Sequence, residues 1–130
     1  MSATTLAVLN RYTLRQTPAD FCAAISALAE RVQAEGHAGV ISYRFYVNEA
    51  EGQARAVVDY ADAAAWIGHH KIAMGWPEMT ALHGAAALEE ITFLGIVTPE
   101  IKDWLQGSTL TARVSDGYSF AAGFQRVKED

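Results

Sequence analysis

The sequence predicts an α+β sandwich in which one sheet carries helices on a single face, and the order of its elements is the main reason. Hydrophobic periodicity lays out a strand, a capped amphipathic helix, two strands joined by a tight turn, and a Trp- and His-bearing helix that leads into another strand. That β-α-β-β-α-β order is the ferredoxin-like one, with an antiparallel sheet. A second observation concerns assembly. The fourth strand, Ala87 to Val97, is apolar on both parities, with Ile91, Phe93 and Val97 on one and Leu88, Leu94 and Ile96 on the other. Strands of that kind are buried on both sides, so the face without helices is expected to be covered by a second copy, the symmetry closing at a homodimer.

Each element has its own signal. Residues 4–15 alternate, with Leu6, Val8, Asn10, Tyr12 and Leu14 on one parity and Arg11, Thr13 and Arg15 on the other. Thr17-Pro18-Ala19-Asp20 combines an N-cap, a proline at the first helical position and an early carboxylate. Phe21, Ile25, Leu28 and Val32 follow at helical spacing, and Gly36 stops the helix. Residues 39–48 form the second strand, with Ile41, Tyr43, Phe45 and Val47 on one face and Val40, Ser42, Arg44, Tyr46 and Asn48 on the other. Asn48 to Gly52 is a hairpin loop returning as Gln53 to Tyr60. Asp62 caps a helix from about Ala63 to Met74, Gly75-Trp76-Pro77 breaks it, and Pro77 opens a short helix ending near Gly84.

Beyond the core, Thr98-Pro99-Glu100 starts another short helix with an apolar stripe of Ile101, Trp104 and Leu105. The tail reads as a hairpin: Leu110 to Val114, a turn at Ser115-Asp116-Gly117, then Tyr118 to Val127 with Tyr118, Phe120, Ala122 and Phe124 in one row. The 130 residues are expected to form one domain, a core over 4–97 with an extension over 98–130, large enough to need no disulfide or metal.

Composition excludes several function classes. A net charge of −5 without a Lys/Arg stripe speaks against nucleic acid as a partner. Arg11 and Arg15 interrupt the first apolar run before it could act as a signal peptide or membrane span, so a cytoplasmic protein with no membrane partner is expected. The single cysteine, Cys22, sits among Ala23, Ala24 and Ile25 and reads as a small buried thiol. No glycine-rich phosphate loop or nucleophile elbow is present in the sequence.

The core resembles the antibiotic-biosynthesis-monooxygenase type of dimeric α/β-barrel proteins. The resemblance spans residues 4–97 and rests on element order, on Gly39-Val40-Ile41-Ser42-Tyr43-Arg44 after the first long helix, and on Tyr60-Ala61-Asp62-Ala63-Ala64-Ala65-Trp66-Ile67-Gly68-His69-His70 opening the second. It implies a homodimer and one of three roles: a cofactor-free oxygenase acting on a small aromatic or quinol-type compound, a non-catalytic ligand binder or structural dimer, or a haem-degrading protein. The last is supported by Asn10 on the first strand and Trp66 near the second helix, while His83 departs from the spacing that branch uses. No cofactor and no metal are expected.

The residues fit the first role as follows. Trp66 and His70 are four apart on one helix and share a side of it, Trp66 suited to stacking an aromatic ring and His70 to moving a proton near neutral pH. The plainer alternative makes Trp66 core and His69 and His70 a solvated pair. Adjacent histidines point about 100° apart on a helix and cannot share a metal in the usual same-face way. Arg44 could stabilise a phenolate or enolate and Tyr46 could hydrogen-bond it, with a salt bridge from Arg44 to Asp59 or Glu90 as the alternative. Asn10, His69 and His83 complete the set of expected ligand contacts. His37 reads as a surface loop residue, and Trp76 and Trp104 as packing groups.

Overall fold

The computed structural model describes residues 5–126. Its elements run β1 (Leu6–Leu14), α1 (Pro18–Glu35), β2 (Val40–Asn48), β3 (Gln53–Tyr60), α2 (Ala63–Ala73), α3 (Pro77–Ala85), β4 (Ala86–Leu94), α4 (Pro99–Gln106) and β5 (Arg113–Tyr118). The sheet order is β2-β3-β1-β4-β5, so the ferredoxin-like core is as expected and the extension adds one strand at its edge. None of the described helices is long and apolar enough to cross a membrane.

The predicted caps form. The Thr17 hydroxyl accepts from the Asp20 amide at 3.0 Å, Asp62 Oδ1 from the Ala65 amide at 2.9 Å, and Thr98 Oγ1 from the Ile101 amide at 3.4 Å. Each satisfies an amide that the first helical turn leaves without a partner. Gly36 ends α1 for a steric reason, since a Cβ there would stand 2.5 Å from the Val32 carbonyl oxygen. In the β2–β3 loop, Gly52 adopts the left-handed conformation a tight return requires, and Asn48 Oδ1 accepts from the Glu51 amide.

The helix-facing side of the sheet holds the core: Leu6, Val8 and Tyr12 of β1, Ala54, Ala56, Val58 and Tyr60 of β3, and Ile91 and Phe93 of β4 pack under Phe21, Leu28, Trp66 and Leu82. Two bulges change the faces read from parity. On β2, Val40 pairs with Tyr60 but Ser42 with Asp59, so Ile41 is the extra residue and is 40% exposed on the side opposite Tyr43 and Phe45. On β4, Leu88 pairs with Tyr12 but Glu90 with Arg11, so Glu89 is extra and Leu88 joins the helix-side core. β4 is thus less apolar on its outer face than its sequence suggests. That face presents Glu90, Thr92 and an exposed Leu94, and Ile96 lies past the end of the strand.

The tail departs most from expectation. β5 runs parallel to β4, making the five-stranded sheet mixed rather than wholly antiparallel, and Asp116-Gly117 lies inside that strand instead of turning a hairpin. Thr92 pairs with Ser115 and Leu94 with Tyr118, so the dipeptide contributes one unmatched residue, and Gly117 takes a φ of 93°. The positive φ that would have made a turn makes a bulge instead. After Tyr118 the described chain has no regular structure, although Phe120, Ala122 and Phe124 do line one surface together; Val127 lies outside the described residues. Cys22 is on the exposed side of α1 rather than buried.

Candidate functional site

A cavity of about 50 Å³ lies between the sheet and the second and third helices. It owes its position to small residues on β3. Ala54 and Ala56 hold the middle of the helix-facing surface low, while Asn10 and Tyr12 of β1 rise beside them. Asp62 caps α2 so that Trp66, His69 and His70 descend toward this hollow, and the break at Gly75-Trp76-Pro77 redirects the chain so that Met79, Leu82 and His83 close it.

Trp66 is 2% exposed, its ring edge-on to Phe93 and Trp104 at 5.7 and 5.3 Å between centroids. It is therefore a core residue that also borders the cavity. His70 is half-buried, its ring lying 4.0 Å from Trp66 at 32° and edge-on to Trp104 at 5.1 Å. His70 Nδ1 lies 2.8 Å from the Trp66 carbonyl oxygen. Because a carbonyl can only accept, Nδ1 carries the proton and Nε2 is left with its lone pair. Burial, with a smaller contribution from His69, lowers the His70 pKa to about 3.

His69 points the other way around the helix, toward Tyr43 and Tyr60 at 5.6 and 6.0 Å, and is 2% exposed. Burial lowers its pKa to about 4, with His37 adding to the effect. Its Nδ1 is buried without a hydrogen-bond partner, and so is Asn10 Oδ1; both residues line the cavity. The Asn10 amide nitrogen donates to the Tyr12 hydroxyl at 3.3 Å. His83 lines the cavity as well, its pKa lowered by burial and then by Arg15. Burial raises the phenols, Tyr12 to about 12 and Tyr43 and Tyr60 beyond the ordinary range. At neutral pH, the described lining of this cavity carries no charge.

Five of the seven residues singled out from the sequence therefore meet at one cavity: Asn10, Trp66, His69, His70 and His83. Arg44 and Tyr46 do not. They stand on the other face of the sheet, where Arg44 lies 3.7 Å from Asp59 and Asp59 also accepts from the Ser42 hydroxyl at 2.6 Å. Arg44 there borders a groove of about 770 Å³ between the sheet and residues 118–125, with Ile41, Leu94, Phe120 and Phe124. The sheet's pleat is the cause, since Arg44 shares its parity with the outer residues of β2 once the bulge at Ile41 is passed.

Two contributors escaped the sequence reading. Trp104 is a wall of the His70 site through its contacts with both Trp66 and His70, which the amphipathic stripe of α4 alone does not reveal. His37 is half-buried rather than a free loop residue. Its Nδ1 accepts from the Gly39 amide at 2.9 Å, and its ring covers Gly68, where a Cβ would stand 2.3 Å from it. The glycine at position 68, one residue before His69, was the available signal. Among the described residues no group of three potential metal ligands converges.

No protein-family model matches the chain, and no curated protein matches it in sequence. Solved structures do. MupZ from Pseudomonas fluorescens is 17% identical over 94% of each chain, with a TM-score of 0.63. SnoaB from Streptomyces nogalater, a cofactor-independent oxygenase, is 16% identical over 73% of this chain and 95% of its own, with a TM-score of 0.57. A proposed antibiotic biosynthesis monooxygenase from Caulobacter crescentus is 21% identical over 73% of this chain and 92% of its own, at 0.53. The chain thus has the fold of antibiotic-biosynthesis-monooxygenase-like proteins.

Proposed function

We propose that this chain is a cofactor-independent, monooxygenase-like protein of the cytoplasm, acting as a homodimer on a small aromatic or quinol-type compound. The observation that carries the reading is His70, an un-ionised imidazole with Nε2 bare, braced between Trp66 and Trp104 at the wall of a mostly apolar cavity. A ring with a free hydroxyl and an oxidisable C–H can pass a proton to Nε2 only as its own negative charge develops beside the imidazole, because burial otherwise holds His70 neutral and the forming anion is what stabilises the imidazolium. The resulting anion passes one electron to dioxygen, and recombination forms a carbon–oxygen bond to a peroxide. Where the carbon bears two hydrogens, loss of water then leaves a carbonyl: one oxygen atom stays on carbon and the other departs as water with both hydrogens. The chain's part is to exclude water, hold the ring beside Nε2 and receive the proton.

Trp66 serves this reading as a positioning residue, because its ring and carbonyl fix both the plane and the tautomer of His70. The cavity's volume is about a third of the roughly 150 Å³ apolar cavity that accommodates benzene, so a ring enters only if the wall yields. Met74 and Met79, unbranched and adaptable, are the lining side chains suited to yielding.

The homodimer rests on the outer sheet face, which carries no helix, where exposed Ile41 and Leu94 adjoin Tyr118, Phe120 and Phe124 of the tail. Arg44 and Tyr46 belong to that surface in this reading. The test is oxygen consumption with a planar hydroquinone or anthrone-type compound as substrate. His70→Ala should abolish turnover, about 10²-fold or more, and leave the sedimentation coefficient unchanged. Equal non-zero rates in the two proteins would remove His70 from the reaction, and no turnover by either would assign the cavity to ligand binding without catalysis.

A further inference from the structure

Two buried side-chain atoms among the described residues lack a hydrogen-bond partner, Asn10 Oδ1 and His69 Nδ1, and both residues line the same cavity. Buried polar atoms are nearly always paired, and an orphan signals something that completes it. A shared location makes coincidence a poor account of two. His69 is the sharper case, at 2% exposed with its ring clamped by Tyr43 and Tyr60 and therefore unable to turn to solvent.

We infer that Asn10 and His69 are the specificity-determining pair of this cavity, and that they select a ligand in its neutral, hydroxyl-bearing form rather than as an anion. This rests on the reading of the cavity as a ligand site. Asn10 already uses its amide nitrogen on Tyr12, so its free oxygen can only accept. A ligand hydroxyl satisfies it by donating, whereas a phenolate would set negative charge against a carbonyl. A hydroxyl can also accept from the His69 ring, which an ether oxygen could do, but without serving Asn10.

The rest of the lining supplies no cation that would prefer an anion. The titratable groups facing the cavity are Tyr12 of β1, Tyr43 of β2, Tyr60 of β3, His69 and His70 of α2, and His83 of α3. Burial keeps all six un-ionised at neutral pH. Arg44, the arginine expected to stabilise a ligand anion, stands across the sheet.

The probe is 4-nitrophenol, whose anion is yellow and whose neutral form is not, with 4-nitroanisole as the same ring without a donor. Binding is measured without oxygen turnover, on the full chain. Near the phenol's own ionisation the protein should bleach the yellow colour, and affinity should fall about tenfold per pH unit above it, following the neutral fraction. The anisole should bind at least about tenfold more weakly, and His69→Phe and Asn10→Leu should each abolish that preference. Deepened colour, equal binding of the two probes, unaltered preference in both variants, or no binding by either probe would each overturn the inference. Neutral-form binding with no oxidation of any quinol would instead fell the oxygenase reading and leave this one standing.

Discussion

His69 is held neutral by its surroundings, and that has a thermodynamic sign. With a folded pKa near 4 against an ordinary 6.5, the unfolded chain takes up a proton as pH falls through 6.5 while the folded chain does not. Stability should therefore drop between pH 7 and pH 4, by at most roughly 3 kcal/mol from this residue. The carboxylates Glu78 and Glu90 are lowered by their hydrogen bonds from Arg31 and Arg113, so any loss of stability they add as pH falls has the same sign and starts only in the ordinary carboxylate range. Denaturation of His69→Phe at pH 7 and pH 5 should show a smaller pH dependence than wild type. At pH 7 the variant should be equal or more stable by about 1 kcal/mol, since a buried orphan has been replaced by an apolar ring of similar shape.

The residue types of the site were legible because Trp and His at helical spacing are informative on their own. What the sequence withheld was which side of the sheet each strand residue takes. Arg44 and Asn10 looked equally available, and only the pairing register sends one to each face. A single extra residue at Ile41 or Glu89 reverses the parity before it, and no local signal marks either position.

Elements with a chemical start signal were legible in full. All three Thr or Asp caps form, and α4 begins at Pro99 as Thr-Pro-Glu requires. The β5 strand was not, because Asp-Gly supplies a positive φ without stating whether the chain reverses. Two glycines in this region should respond differently to substitution. Gly117→Ala meets nothing within 4 Å and carries only the cost of its φ of 93°, about 1 kcal/mol. Gly95, at φ 126°, would place a methyl 2.8 Å from the Thr5 carbonyl oxygen, so Gly95→Ala should cost clearly more. Parallel thermal melts of the two variants check the ranking.

For the whole molecule, the expected state is a dimer at micromolar concentration by sedimentation velocity, and a monomer would remove the argument from the uncovered sheet face. β4 is not apolar on two sides, since Leu88 packs on the core side. What a second copy would cover is the outer aromatic and aliphatic groups of the sheet and tail. Replacing Phe120 and Phe124 together by Ser should weaken self-association and leave the 4-nitrophenol site intact, as the two lie on opposite faces.

The two outermost strands of the sheet share one irregularity. β2 carries the extra Ile41 and β5 the extra residue of Asp116-Gly117, so each free border interrupts its own ladder of amides and carbonyls. An incoming strand reads such a border as a template, and a template with a residue out of step cannot be copied along its length. Growth of this sheet sideways into a filament is thereby discouraged at both ends, which leaves pairing through the broad face as the route to a closed assembly.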